Sequence, residues 1–310
     1  MTAAQAVTRR LAELVLVFLG VMFIIYVMVF TLPGDPIMAL GGDRPLPENV
    51  VAELRSRYHL DEPVWKQYLY YLQGLAQGDL GTNFSGQPVA DRLAARWPVT
   101  IALALTAWGI ELVIGVGLGL YAGLRRGRVG DRVVLAGTIL AASVPVFVVA
   151  VSAQLVFGVQ LGWFPVAGTT QGWPTAYLLP AACIAVFGLA SIARLMRGSV
   201  IDTMSSDFVR TLWAKGLTRR QVVGVHVTRN SAIPVLTYLA IDLGYLLGGT
   251  VIIEGIFNLP GVGQLLFQAI RAHEGPTVVG VSTALIIVFL VANLVVDLLH
   301  TALDPRIRHE

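Results

Sequence analysis

The sequence predicts an all-α integral membrane protein with six transmembrane helices and a small extracytoplasmic helical insertion after the first helix. Its 310 residues are 55% hydrophobic and only 13% charged. The mean hydropathy of +0.72 lies above the range of ordinary soluble domains. The chain also has no charged residue between Val133 and Ala193, which is room for two spans of about 20 residues each.

The first span is predicted at residues 11–32, after a short N-terminal segment, 1–10, that ends in two arginines. A cleaved signal peptide would have a shorter apolar core, so this run is expected to remain as a helix. The segment 33–96 that follows is polar. Pro47 and Pro63 stand there where proline commonly opens a helix, so we expect a small helical domain.

The segment 97–300 is predicted to hold the other five helices, followed by a C-terminal tail, 301–310. Apolar runs place the five spans, in order, at 99–124, 133–157, 176–196, 230–253 and 276–299. Arginine and lysine are concentrated at the two termini, after the second span and after the fourth. Because basic residues mark cytoplasmic loops, both termini are predicted to be cytoplasmic and the segment 33–96 extracytoplasmic.

One charged stretch within the core, 199–229, resembles nothing else in the chain. Asp207 can cap a short helix there, and Gly216 is expected to break that helix. Thr218 and Gln221 have the spacing of a capping box, which predicts a second short helix. Composition alone favours an amphipathic loop on the membrane surface, with its basic residues among the lipid headgroups.

The order of residues in this stretch points elsewhere. The blocks Phe208-Val209-Arg210-Thr211, Ala214-Lys215-Gly216-Leu217 and Pro234-Val235-Leu236 resemble the coupling loop of binding-protein-dependent ABC importer permeases, in the dipeptide, oligopeptide and nickel branch. Further matching blocks are Leu32-Pro33-Gly34-Asp35-Pro36, Gly78-Asp79-Leu80-Gly81, Leu161-Gly162-Trp163-Phe164-Pro165, Pro260-Gly261-Val262-Gly263 and Leu303-Asp304-Pro305-Arg306. The sequence departs from the branch at Leu212 and Trp213.

The resemblance implies a type I ABC importer permease fold in the bacterial plasma membrane. It also implies a heterodimer with a second, homologous permease, two cytosolic ATP-binding domains and an extracytoplasmic solute-binding protein, all in a lipid bilayer and without nucleic acid. The implied cargo is a dipeptide or oligopeptide, with nickel, glutathione and haem as alternatives. The residues implied to contact the ATPase are Asp207, Phe208, Val209, Arg210, Thr211, Leu212, Trp213, Ala214, Lys215, Gly216 and Leu217.

No catalytic residue, bound cofactor or metal site is expected in this chain. Its two lysines, Lys66 and Lys215, do not stand in a Walker A pattern, so ATP and Mg²⁺ would be bound by the partner ATPase subunits. The sequence also lacks His-Glu-x-x-His and Gly-x-Ser-x-Gly, which disfavours an intramembrane protease or hydrolase. Asp297, His300 and Asp304 could share a helix face, but polar residues at a span end ordinarily meet water.

Three residues are candidates for the translocation path. Asp242 falls inside the fifth span, where an ionised carboxylate costs roughly 2.5 to 3.5 kcal/mol or more unless it is paired or hydrated. Tyr245 follows on the same side of the helix, and Glu111 in the second span is a weaker candidate. An interhelical hydrogen bond without substrate contact would explain Asp242 equally well. The alternative of a self-sufficient secondary transporter would require inverted repeats, and the sequence shows no clear repeat.

Overall fold

We describe the protein from a computed structural model, in which residues 3–31, 37 and 47–303 are described. These residues form helices and connecting turns without a β-strand; Thr82 and Pro88 make one isolated antiparallel bridge. The helices are α1 Ala3–Thr31, α2 Glu48–Arg57, α3 Val64–Leu75, α4 Val89–Leu124, α5 Val129–Ser143, α6 Val146–Gln160, α7 Thr175–Met204, α8 Asp207–Ala214, α9 Arg219–Gly248, α10 Val251–Ile256, α11 Val262–Arg271 and α12 Gly275–Leu303. The Pro33-Gly34-Asp35-Pro36 motif and the tail from Asp304 onward lie outside the described residues.

Five of the described helices are long and apolar enough to cross a membrane: Thr8–Thr31, Val89–Leu124, Thr175–Met204, Arg219–Gly248 and Gly275–Val295. Counted as one span, α5 and α6 together, with a bend of 98° between them, make a sixth candidate crossing. The predicted third span, 133–157, is therefore not one straight helix. Pro145 is the cause, because it lacks an N–H for α5 and disfavours helical backbone in the preceding residue. It stands as the N-cap of α6.

The chain divides into two compact units, the first comprising Met1–Val99 and Pro260–Val291. In this unit α2 and α3 begin directly after Pro47 and Pro63, as predicted. The core of the unit joins α3 to α1 and α12, and it is built on Met22, Tyr26, Tyr68 and Val279.

Two tyrosine hydroxyls tie α3 to its neighbours in the first unit. Tyr68 donates a hydrogen bond of 2.8 Å to the Leu19 carbonyl. The Tyr71 hydroxyl lies 2.6 Å from Thr283 Oγ1. Burial raises the pKa of the Tyr71 phenol to about 12, so this group stays protonated at any physiological pH. The insertion is thus fastened to α1 and α12 by polar contacts as well as by packing.

The second unit comprises Thr100–Leu259 and Ala292–Glu310, and its centre is a close contact between α4 and α7. Three glycines of α4, spaced four residues apart, face three side chains of α7 with the same spacing. A Cβ added to each would come within 2.8 Å or less of its neighbour's side chain: Gly115 against Ile192, Gly119 against Met196 and Gly123 against Val200. Small residues at this spacing let membrane helices approach closely. Because the numbers increase together, α4 and α7 run in the same direction, as the predicted second and fourth spans should.

Candidate functional site

The short helix α8 and the residues after it are the first candidate site, and their C-terminal end is defined by Gly216. The Gly216 N–H donates to the Trp213 carbonyl (2.9 Å), and the Leu217 N–H donates to the Leu212 carbonyl (3.3 Å). This pair of bonds is a Schellman motif. Gly216 has a φ of +79°, which an L side chain adopts only with strain. The predicted helix break at this glycine is confirmed.

The start of α8 differs from the prediction by one residue. Ser206 is the N-cap, with extended backbone at ψ 152°, and Asp207 is the first helical residue. The prediction that Asp207 caps the helix was therefore wrong; its carboxylate lies 3.2 Å from Arg210 Nη1 instead. An acidic residue in the first turn still interacts favourably with the helix dipole.

The capping box predicted after the glycine is present. The Thr218 N–H donates to Gln221 Oε1 at 2.9 Å, and the Gln221 N–H donates to Thr218 Oγ1 at 3.4 Å. The second short helix predicted here is not separate, because it continues without a break into the fifth span as α9, Arg219–Gly248. α9 starts at a defined residue directly after the break at Gly216, and its first two turns include a π-helical segment, Val222–Val227. The two helices on either side of Gly216 each have their own capping motif.

One side of α8 packs into the core of the second unit, and the rest of the helix is exposed. Val209 is only 1% exposed and belongs to a core cluster with Ile192, Met196, Val200, Val222, Val227, Val235 and Leu239. Leu212 and Leu217 pack against the same cluster. Phe208 and Trp213 are 40% and 41% exposed, and Arg210, Thr211, Ala214 and Lys215 are exposed as well. The exposed residues of α8, which we call the docking face, therefore include two aromatic rings and two cations.

An ion pair that sequence reasoning missed links α7 to α5. Arg197 Nε and Nη2 donate to Asp131 Oδ1 and Oδ2 at 2.5 and 2.9 Å, and the Gly127 N–H donates to Oδ2 at 2.8 Å. The two residues are 66 positions apart, so no local spacing could have paired them. Bidentate geometry makes this the kind of ion pair that holds two helices in one orientation.

The second candidate site is a carboxyl pair inside the second unit. Glu111 is 1% exposed and begins a π-helical segment, Glu111–Gly115, within α4. Glu111 and the half-buried Asp242 of α9 line the same cavity. Among the described residues, no N–H or O–H group donates to Glu111 Oε2 or to Asp242 Oδ2. The structure thus brings together two carboxyl groups that the sequence placed in separate spans.

A cavity of about 320 Å³ adjoins this pair. Its wall includes all three candidates for the translocation path, Glu111, Asp242 and Tyr245. The other residues of the wall, which the sequence did not indicate, are Val146, Ile184, Phe187, Gly188 and Leu246. A Cβ added to Gly188 would overlap the Glu111 carboxyl. Gly188 stands four residues before Ile192, so it has the same spacing as the α7 residues that face the glycines of α4. This spacing is the sequence feature that could have indicated that Gly188 faces α4. In the described part of the chain, no group of three or more His, Cys, Asp or Glu is arranged to hold a metal ion.

The family of the chain follows from its sequence matches. The family described as "binding-protein-dependent transport system inner membrane component" matches residues 115–309, and the N-terminal part of such membrane components matches residues 4–104. The chain belongs to this permease family. It is therefore a multi-pass membrane permease of an ABC importer and not itself the ATPase, and the alternative of a self-sufficient secondary transporter is disfavoured.

Relatives of this permease match it over nearly the full length. A putative peptide transport system permease protein of Brucella abortus is 38% identical, over 98% of this chain and 99% of the relative. The oligopeptide transport system permease protein OppB of Haemophilus influenzae is 34% identical, over 97% and 98%. The glutathione transport system permease protein GsiC of Escherichia coli K12 is 34% identical, over 98% and 99%.

The fold also has a solved counterpart. An inward-facing structure of the MetNI methionine ABC transporter superposes with a TM-score of 0.54 at 19% identity, covering 68% of this chain and 96% of that chain. The permease therefore has the type I ABC importer permease fold. The sequence analysis predicts one addition to that fold, the helical insertion at residues 33–96 after the first helix.

Proposed function

We propose that the permease is a subunit of an ATP-driven importer that takes up peptides, most simply dipeptides and short oligopeptides. The observation that carries this proposal is the set of relatives that match 97–98% of the chain and are named for peptide, oligopeptide and glutathione transport. Glutathione is itself a tripeptide, so the three names share one cargo chemistry. Nickel and haem have no such support among these relatives.

We further propose that the docking face of α8 contacts a cytosolic ATPase subunit, which holds the ATP and Mg²⁺. Phe208 and Trp213 supply aromatic anchors of the kind that dominate interface energetics. Val209 ties the same helix to the core of the spans. A movement of the ATPase would therefore be passed to α7 and α9 as a rigid displacement rather than absorbed in a loose loop.

The other proposed partners are a second, homologous permease, a second ATPase domain and an extracytoplasmic solute-binding protein. In this arrangement both termini and α8 are cytoplasmic. The concentration of basic residues after the second and fourth spans supports that orientation. The parallel contact of α4 and α7 agrees with it, because both helices would then enter the cytoplasm at their C-terminal ends.

Purification of the permease through a tag, in mild detergent, tests the proposal. Mass spectrometry should identify a homologous permease and P-loop ATPase chains in a fixed ratio. The same complex in vesicles, supplied with its binding protein, should accumulate a dipeptide only when ATP is present. Recovery of the permease as a homo-oligomer that moves solute without ATP would overturn the proposal.

The coupling role of α8 is tested separately with Gly216→Ala. A Cβ at this position meets nothing within 4 Å, so the change acts through the positive φ alone, at about 1 to 2 kcal/mol. ATP-driven uptake should fall while membrane insertion and assembly persist. Gly224→Ala is the matched control, since its Cβ is equally free and its backbone is helical. Equal uptake by the two variants would contradict the role of this glycine.

A further inference from the structure

The cavity beside Glu111 contains chemistry that ATP coupling does not use. We propose that the carboxyl pair of Glu111 and Asp242 binds a protonated amino group of the transported peptide. The proposal rests on peptide import as the function of the permease, and it names the group by which the permease itself would recognise that cargo. Asp242 would contact the ammonium, and Glu111, being almost completely buried, would position Asp242.

The charge of the pair is the first argument. Both members of the pair are acidic, so the pair has no positive charge of its own to balance an ionised carboxylate within the spans. In the described part of the chain, no lysine, arginine or histidine forms an ion pair with either residue. The other titratable groups near the pair are Tyr245, in the wall of the same cavity, Tyr238, and Arg194, whose Nη1 donates to the Thr138 carbonyl at 3.5 Å. A negative charge within a span is costly unless a cation or water compensates it, so a ligand cation would complete the site.

The lining of the cavity selects an organic ammonium over a metal ion. Beyond the two carboxyl groups, the wall is mainly hydrophobic: Val146, Ile184, Phe187 and Leu246. Calcium needs six or more oxygen ligands and zinc needs about four ligands, which this wall does not offer. An ammonium group needs only hydrogen-bond acceptors. The apolar wall would then cover the first side chain of the peptide.

The size of the cavity is consistent with a small ligand. About 320 Å³ is near the lower end of the range of roughly 300 to 1,000 Å³ for small-molecule sites. It therefore suits one or two residues of a peptide rather than a long chain. A site at the amino end also imposes no upper limit on peptide length, because the remainder would extend out of the cavity past the exposed Tyr245.

The backbone around Glu111 supports a dedicated site rather than incidental packing. A π-helical segment starts at Glu111, and such segments occur frequently at functional sites. Gly188 leaves the space that the carboxyl group occupies. Oε2 of Glu111 and Oδ2 of Asp242, both buried, lack a protein donor among the described residues, so the Asp242 oxygen retains capacity for a hydrogen bond from a ligand.

Equilibrium binding to the assembled complex, without the binding protein, tests the proposal. Radiolabelled dialanine is bound to the complex in lipid nanodiscs and followed by scintillation proximity. Dialanine methyl ester, which keeps the ammonium, should compete with the label. N-acetyl-dialanine, which lacks it, should compete at least about tenfold more weakly, the usual cost of losing a charged hydrogen bond. Absence of dialanine binding, or equal competition by the two derivatives, would overturn the proposal.

Variants separate contact from positioning. Asp242→Asn should weaken dialanine binding about tenfold or more. Glu111→Gln keeps the size of the side chain and can donate a hydrogen bond to Asp242, so this variant should keep near-normal affinity. Glu111→Ala can do neither and should lose affinity. If the pair had a purely structural role, both Glu111 variants would change the stability of the complex. None of the three variants would then change the preference for a peptide with a free amino group. Glu254→Gln is the control. The Glu254 carboxyl is buried and accepts hydrogen bonds from the Thr100 and Thr250 hydroxyls, and it does not line the cavity.

The outcomes for this proposal and for peptide import are distinguishable. ATP-driven peptide uptake without amine-dependent binding to the permease would leave peptide import standing and remove the amine site. Amine-dependent binding without ATP-driven uptake would support the amine site and contradict ATP-driven peptide import. Dialanine binding that Asp242→Asn leaves unchanged would place the amine somewhere other than the carboxyl pair and overturn the assignment.

Discussion

The carboxyl group of Glu111 lies in the space that a Cβ on Gly188 would fill. The contact joins α4 to α7 at the wall of the cavity, which Asp242 also lines. A larger residue at position 188 would therefore displace an acidic group instead of merely filling a gap.

Gly188→Ala should destabilise the permease for this reason. Overpacking of a close contact typically costs about 1 to 3 kcal/mol, and thermal unfolding of the purified complex measures it. Gly198→Ala in the same helix is the matched control, since a Cβ there meets nothing within 4 Å and alanine favours helix by up to about 1 kcal/mol. Shifts of the same sign and size for the two variants would show that Gly188 is not packed as described.

The glycines of α4 allow a second matched comparison. At Gly119 a Cβ would lie 2.5 Å from the Ala193 carbonyl oxygen and 2.6 Å from Met196 Cβ, whereas at Gly117 it meets nothing within 4 Å. Gly119→Ala should therefore cost about 1 to 3 kcal/mol, because a backbone atom cannot move aside. Gly117→Ala should be neutral or slightly stabilising. Thermal unfolding again provides the measurement, and an unaffected Gly119→Ala protein would rule out the close approach of α4 and α7.

The attachment of α8 to the core depends on Val209. Val209→Ala removes two buried methyl groups and should loosen α8 by about 1 to 2 kcal/mol. Hydrogen exchange of the α8 amides should then rise about tenfold, because their protection reports local opening. Val225, which is exposed, gives the control substitution Val225→Ala. If exchange in α8 stays the same in both variants, the helix is not held through Val209.

Much of this architecture could be predicted from the sequence because its signals are local. Apolar runs located the spans, and Gly216 and the Thr218–Gln221 capping box located the break in the charged stretch. The cap of α8 was misplaced by one residue because serine and aspartate are both good cap residues and stand side by side. The sequence could not predict that the third span breaks into two helices at Pro145, since proline also occurs within continuous membrane helices.

The functional contacts were harder to predict because they join distant parts of the chain. Glu111 and Asp242 were each recognised as unusual in a span, yet nothing in either local pattern says that the two side chains meet. The pairing depends on how α4, α7 and α9 pack. The contact of α4 with α7 is made by glycines whose spacing carries meaning only when these two helices are considered together. Arg197 and Asp131 were missed for the same reason.

The Tyr71 phenol predicts how stability depends on alkaline pH. Its pKa is raised by burial from 10.0 to about 12, so between those values the folded protein keeps a proton that the unfolded chain has lost. The contribution is complete below pH 10 and disappears as pH rises towards 12, and two pKa units correspond to about 2 to 3 kcal/mol. The assembled complex should therefore unfold at progressively lower temperature across this range.

Tyr71→Phe should lose about 1 kcal/mol of stability at neutral pH, together with its hydrogen bond to Thr283. Its unfolding temperature should nevertheless decline less steeply between pH 10 and pH 12. Tyr70→Phe, which alters an exposed ring on the same helix, is the control and should keep the steep decline; a slope that Tyr71→Phe leaves unaltered would show that the buried phenol does not cause it.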